Sequence, residues 1–152
     1  MANTIRGEVK NLVKNGFVNL LHVLSTLDAE HYAITGRIDD AKDSYTRAVA
    51  EASKGGFLQN AAVANERYSD YLFEIGDDSS TAEAVYRLAE SIKNYDEWGA
   101  TKKVELMVKK LHSVVSEAEW REISTSSLSS LKCSNILLEN GELIGEKPVS
   151  DS

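Results

Sequence analysis

Gly16-Phe17, Gly36, Ala41, Tyr45 and Ala48 come round again as Gly56-Phe57, Gly76, Ala82, Tyr86 and Ala89. Each Gly-Phe pair opens a stretch that closes 20 residues later on a second glycine, and the whole set repeats at about 40 residues. A period of that length belongs to arrays in which one helical hairpin stacks on the next. Small residues on the ladder let two helices approach, and the tyrosine is expected to fill the gap between neighbouring hairpins. The expected fold is all-α, a right-handed stack of antiparallel helical hairpins of about six helices, with an irregular C-terminal tail.

The rest of the chain agrees with this reading. The single proline is Pro148, so no strong helix breaker interrupts the first 147 residues, and glycines punctuate them instead. Helices are expected at 3–14, 17–35, 38–54, 57–75, 80–96 and 98–118. The second carries Leu20, Leu24, Leu27 and Ile34 at helical spacing, and the third Ile38, Ala41, Tyr45, Ala48 and Ala52. The fourth has small or apolar residues on two faces, with Ala62, Ser69 and Phe73 beside the main stripe, which predicts a helix covered on both sides. Ser80-Thr81-Ala82-Glu83 predicts a capping box at the start of the fifth. The sixth turns Val104, Met107, Val108, Leu111 and Val115 inward and Lys102, Lys103, Lys109 and Lys110 outward. Residues 1–120 form the helical-repeat domain in this reading. Residues 121–152 form a Ser-rich linker (124–135) and flexible tail, in which Asn140-Gly141 between apolar flanks fits a short hairpin.

Composition narrows the function classes. The chain has 152 residues, 42% hydrophobic and 27% charged, as a globular domain requires. A net charge of −7 and a pI near 5.0 argue against nucleic acid as a partner, since phosphates call for a basic face. No apolar run reaches the roughly 20 residues of a membrane span, and one cysteine, Cys133, forms no internal disulfide. A soluble protein of a reducing compartment, the cytoplasm, is expected.

Catalytic chemistry finds no footing. His22, His31 and His112 stand at no metal-binding spacing, and His31 reads as a packed core imidazole. Gly55-Gly56 reads as a helix C-cap and turn, and Asp39-Asp40 and Asp77-Asp78 as turn and capping residues. The lysines of the sixth helix are either a solvated face or a docking strip for an acidic partner. Tyr68, Tyr71, Tyr86, Tyr95 and Trp98 read as inter-helix packing. No catalytic, cofactor-binding or metal-binding residue is assigned, and no cofactor is expected. The partner is a protein, a peptide or a neighbouring domain. An apolar end face leaves the oligomeric state open.

The Gly, small-residue, aromatic and Ala ladder resembles the tetratricopeptide helical hairpin. Two strings narrow the resemblance: Gly56-Phe57-Leu58-Gln59-Asn60-Ala61-Ala62-Val63-Ala64-Asn65-Glu66-Arg67, and Tyr95-Asp96-Glu97-Trp98-Gly99-Ala100-Thr101-Lys102-Lys103-Val104. With the stretch Val18 to Glu30, they resemble the tetratricopeptide-like region of large multidomain signalling ATPases. In that family an AAA-like or STAND-type ATPase precedes the helices, and GAF or PAS sensors with a histidine kinase or cyclase follow. The resemblance covers roughly residues 15–112. It implies a non-enzymatic scaffold or protein-interaction module, a fragment of a larger signal-transduction protein, with a concave surface built from the second, fourth and sixth helices. Glu66 is then either a structural carboxylate bonded across helices or a groove residue. A stand-alone peptide-binding adaptor is the alternative, although only Asn65 and Arg67 of the fourth helix, and no Lys or Arg of the second, are available to hold a ligand carboxylate.

Overall fold

The computed structural model describes residues 2–133. Among these, seven α-helices follow in order: α1 (Ala2–Lys14), α2 (Leu21–Ile34), α3 (Ile38–Lys54), α4 (Leu58–Ile75), α5 (Asp78–Trp98), α6 (Thr101–Val114) and α7 (Glu117–Thr125). A short 3-10 turn, Val18–Leu20, leads into α2. The fold is all-α. The tightest pairings are α2 with α3 and α4 with α5, each joined by a short turn that makes the two helices antiparallel. The α3–α4 and α5–α6 contacts stack these hairpins, and α1 lies against α2.

The recurrent Gly-Phe pair has a geometric cause. At Gly36 the backbone takes φ +77, and the next N–H, that of Arg37, reaches back to the Tyr32 carbonyl at 2.9 Å. The same closure joins Phe17 to Leu12, Phe57 to Ala52 and Ala100 to Tyr95. This is the Schellman ending, in which a left-handed residue turns two orphan carbonyls into acceptors. Gly76 ends α4 in a simpler way, with φ +76 and its own N–H on the Leu72 carbonyl at 3.1 Å. A Cβ is strained in that conformation, so glycine fixes where each helix stops.

The core is small-residue rich. Ala41, Tyr45, Ala48 and Ala52 of α3 are buried, as are Ala61, Ala62, Ala64, Tyr68, Ser69 and Leu72 of α4. The two-sided burial expected of α4 is present. Tyr45 stacks on Tyr68 with ring centroids 5.1 Å apart and fills the α3–α4 gap.

Several expectations are corrected. Of the second ladder only Ala89 is buried: Ala82 is exposed and Tyr86 is 56% exposed, while α5 buries Ala84, Leu88, Ala89, Ser91, Ile92 and Tyr95. Tyr86 therefore does not fill an inter-hairpin gap, and Trp98 is 48% exposed. Helix α5 begins earlier than its capping-box reading, because Asp77 is the N-cap and accepts the Ser80 N–H at 2.8 Å. In α2 the buried residues are His22, Ser25 and Ala29, not the leucine stripe, and Ile34 is 78% exposed. Small side chains bring α2 close to α3, and the leucines turn partly away. Ile38 of α3 is likewise exposed.

The largest correction lies at the C-terminal end. A seventh helix starts at a capping box of Ser116 and Glu119, and Trp120 is fully buried. Leu128 and Leu131 join Val104, Val108, Leu111 and Trp120 in one core cluster. The Asp96 carboxylate, 5% exposed, accepts the Lys132 N–H at 2.7 Å and the Cys133 N–H at 3.1 Å. Within the described residues, the segment read as a linker is thus packed against α5 and α6. The expected hairpin around Asn140-Gly141 lies outside the described residues.

Candidate protein-interaction groove

Alternate helices α2, α4 and α6 are tied across their shared surface by side chains of opposite charge. On α4, Arg67 Nη1 donates to Glu30 Oε1 of α2 at 3.2 Å. From α6, Lys103 Nζ donates to Glu66 Oε2 at 3.0 Å, and Lys110 pairs with Asp70. The partners are 37, 37 and 40 residues apart, so the ties follow the repeat. Partly exposed pairs of this kind contribute about 1 kcal/mol or less each, which makes them register marks more than sources of stability.

Two of the carboxylates are also anchored from beneath. The Tyr45 hydroxyl donates to Glu30 Oε1 at 3.0 Å, and the Tyr95 hydroxyl donates to Glu66 Oε1 at 2.7 Å. Burial, with the adjacent carboxylate, pushes both phenol pKa values well up, so each remains a hydrogen-bond donor. Glu66 is a structural carboxylate bonded across three helices, the first of the two roles its sequence position allowed.

Two clefts lie between α2 and α4. The larger, about 360 Å³, is bounded by Glu30, Ala33 and Ile34 on α2 and by Arg67, Asp70, Tyr71 and Glu74 on α4, with Tyr45 at its base. The smaller, about 240 Å³, is lined by Val23, Thr26 and Leu27 facing Gln59, Asn60 and Val63. The first is bordered by charge and an exposed isoleucine, and the second by apolar and amide groups. Leu106 of α6, 60% exposed, stands one turn from Lys103 and Lys110.

The singled-out residues fall as follows. Asn65 is buried and donates to Asn94 Oδ1 at 3.1 Å, and Arg67 is held by Glu30, so the two do not assemble into a carboxylate clamp. Lys103 and Lys110 are tied to α4, while Lys102 and Lys109 are exposed, so the lysines do not form one free basic strip. His22, not His31, is the buried histidine; it stacks on Phe57 at 4.5 Å, and burial lowers its pKa. His31 is half-buried beside Tyr32. His112 stacks on Trp120 at 4.6 Å and meets Glu117 at 3.0 Å. Among the described residues, no group of three His, Cys, Asp or Glu side chains is placed to hold a metal ion. No helix there is long and apolar enough to cross a membrane.

Sequence reading did not find Glu30, Asp70 or Glu74. The signal that points to the first is the repeat itself, since Glu30 precedes Arg67 by the same 37 residues that separate Glu66 from Lys103. Neither a family model, a curated protein nor a solved structure matches this chain.

Proposed function

We propose that this chain is a non-enzymatic helical-repeat scaffold that binds protein or peptide along the surface of α2, α4 and α6. The observation that carries the reading is the α2–α4 groove, whose two clefts are walled by helices held in register through Glu30–Arg67, with Glu66–Lys103 tying α4 on to α6. Rigid walls lower the ordering cost of binding, which is how stacked hairpins serve as docking platforms.

Placement in the cytoplasm rests on the single cysteine and the lack of a long apolar run, and placement beside an ATPase, sensor and histidine kinase or cyclase rests on the sequence resemblance. The test is a selection of displayed random peptides on the full chain, followed by binding to Thr26→Arg and Asn60→Arg, which fill the smaller cleft with bulk and charge. Binders lost on both variants support the groove. Binders that hold equally well to both, or a selection that yields none, remove the reading.

A further inference from the structure

The groove has a polarity that specifies its ligand. In the larger cleft Glu30 is taken by Arg67 and Tyr45, and Asp70 by Lys110. Glu74 is exposed and makes no ion pair among the described residues. Beside it stands Tyr71, half-buried in the same cleft and one turn away on α4. A carboxylate next to an aromatic ring suits a cation, which gains charge pairing from one and ring-face attraction from the other. The exposed Ile34 opposite accepts the aliphatic stem of such a side chain. The smaller cleft, with Val23, Leu27 and Val63, suits an apolar side chain, and the Asn60 amide is placed to bond a passing backbone.

The distance between the clefts selects the ligand's conformation. Their α4 linings are centred about ten residues apart, roughly 15 Å at 1.5 Å per residue. An extended chain covers that distance in about four to five residues at 3.3 Å each, and the long stem of a Lys or Arg reaches on toward Glu74. Side chains four apart on an extended chain point the same way, so both enter the groove.

Resting on the reading of this surface as a peptide groove, we infer that it takes an extended segment bearing an apolar side chain and a Lys or Arg about four residues apart, with Glu74 and Tyr71 receiving the cation. This is the opposite charge preference from a carboxylate clamp.

Peptides selected on the full chain decide it, with Glu74→Lys as the charge probe, because an exposed unpaired side chain can be exchanged without disturbing the helix. The expected result is enrichment of Lys or Arg four residues from an apolar position, and at least tenfold weaker binding to Glu74→Lys by fluorescence anisotropy. Replacing the peptide's cation with Ala is expected to abolish the difference between wild type and variant. Groove-dependent peptides enriched in Asp or Glu, or an affinity for Glu74→Lys within twofold of wild type, overturn this inference and leave the groove itself standing. Peptides indifferent to Thr26→Arg and Asn60→Arg overturn the groove as well.

Discussion

The Tyr95 hydroxyl of α5 donates to Glu66 Oε1 of α4 at 2.7 Å, and the other oxygen of that carboxylate receives Lys103 of α6 at 3.0 Å. One side chain therefore joins three successive helices. Tyr95→Phe removes a donor from a largely buried carboxylate and is expected to lower unfolding stability by about 1–2 kcal/mol in urea titration. Lys103→Met removes an outer, half-exposed partner and is expected to change it by less than about 1 kcal/mol. The order of the two effects is the check.

Truncation of Trp120 reports on the C-terminal layer. Its ring is fully buried and stacked on His112, so Trp120→Ala is expected to destabilise by about 3–5 kcal/mol. Leu128→Ala, in the same cluster, is expected to cost about 2–5 kcal/mol. A linker leucine leaves the thermal midpoint unmoved, and that result would count against the packed layer.

Asp96 acts as a latch for the last described residues. Asp96→Ala leaves the Lys132 and Cys133 amides without their acceptor. Hydrogen exchange at those two amides is expected to accelerate at least tenfold. Maleimide labelling of Cys133, now half-buried and near Thr101, is expected to quicken with it.

Acid sensitivity follows from His22. Burial lowers its pKa below 6.5, so the unfolded chain takes up a proton in a range where the folded chain does not. Its contribution to stability is present above 6.5 and is lost as pH falls through the folded value. His22→Phe, which keeps the stack on Phe57, is expected to flatten that part of the pH–stability curve, measured by denaturant midpoint.

The left-handed turn at Gly76 gives a backbone test. Gly76→Ala places a Cβ at φ +76 and is expected to destabilise by about 1–2 kcal/mol. A neutral result in a thermal melt would mean that the turn tolerates another conformation.

The turn positions were legible because they are local. Gly16, Gly36, Gly56 and Gly76 set the turns through backbone geometry, which a sequence states directly, and the absence of proline leaves the intervening residues to be helical. The two-faced character of α4 was legible for the same reason, since helical period alone places Ala61, Ala62 and Ser69 around its axis. The rotation of α5 was not, because Tyr86 and Ala82 match the first ladder in type while contacts with α4 choose Leu88 and Ile92 instead. Nor was the packed segment after Trp120, where serines suggested a loose chain and two leucines with a distant Asp96 fasten it down. The chain by itself determined where the turns at Gly36, Gly56 and Gly76 fall, because their φ values and closing bonds belong to neighbouring residues. Which carboxylates pair from helix to helix, and that Glu74 makes no ion pair among the described residues, only the tertiary structure decided, because that depends on residues some 40 positions apart reaching the same few ångströms.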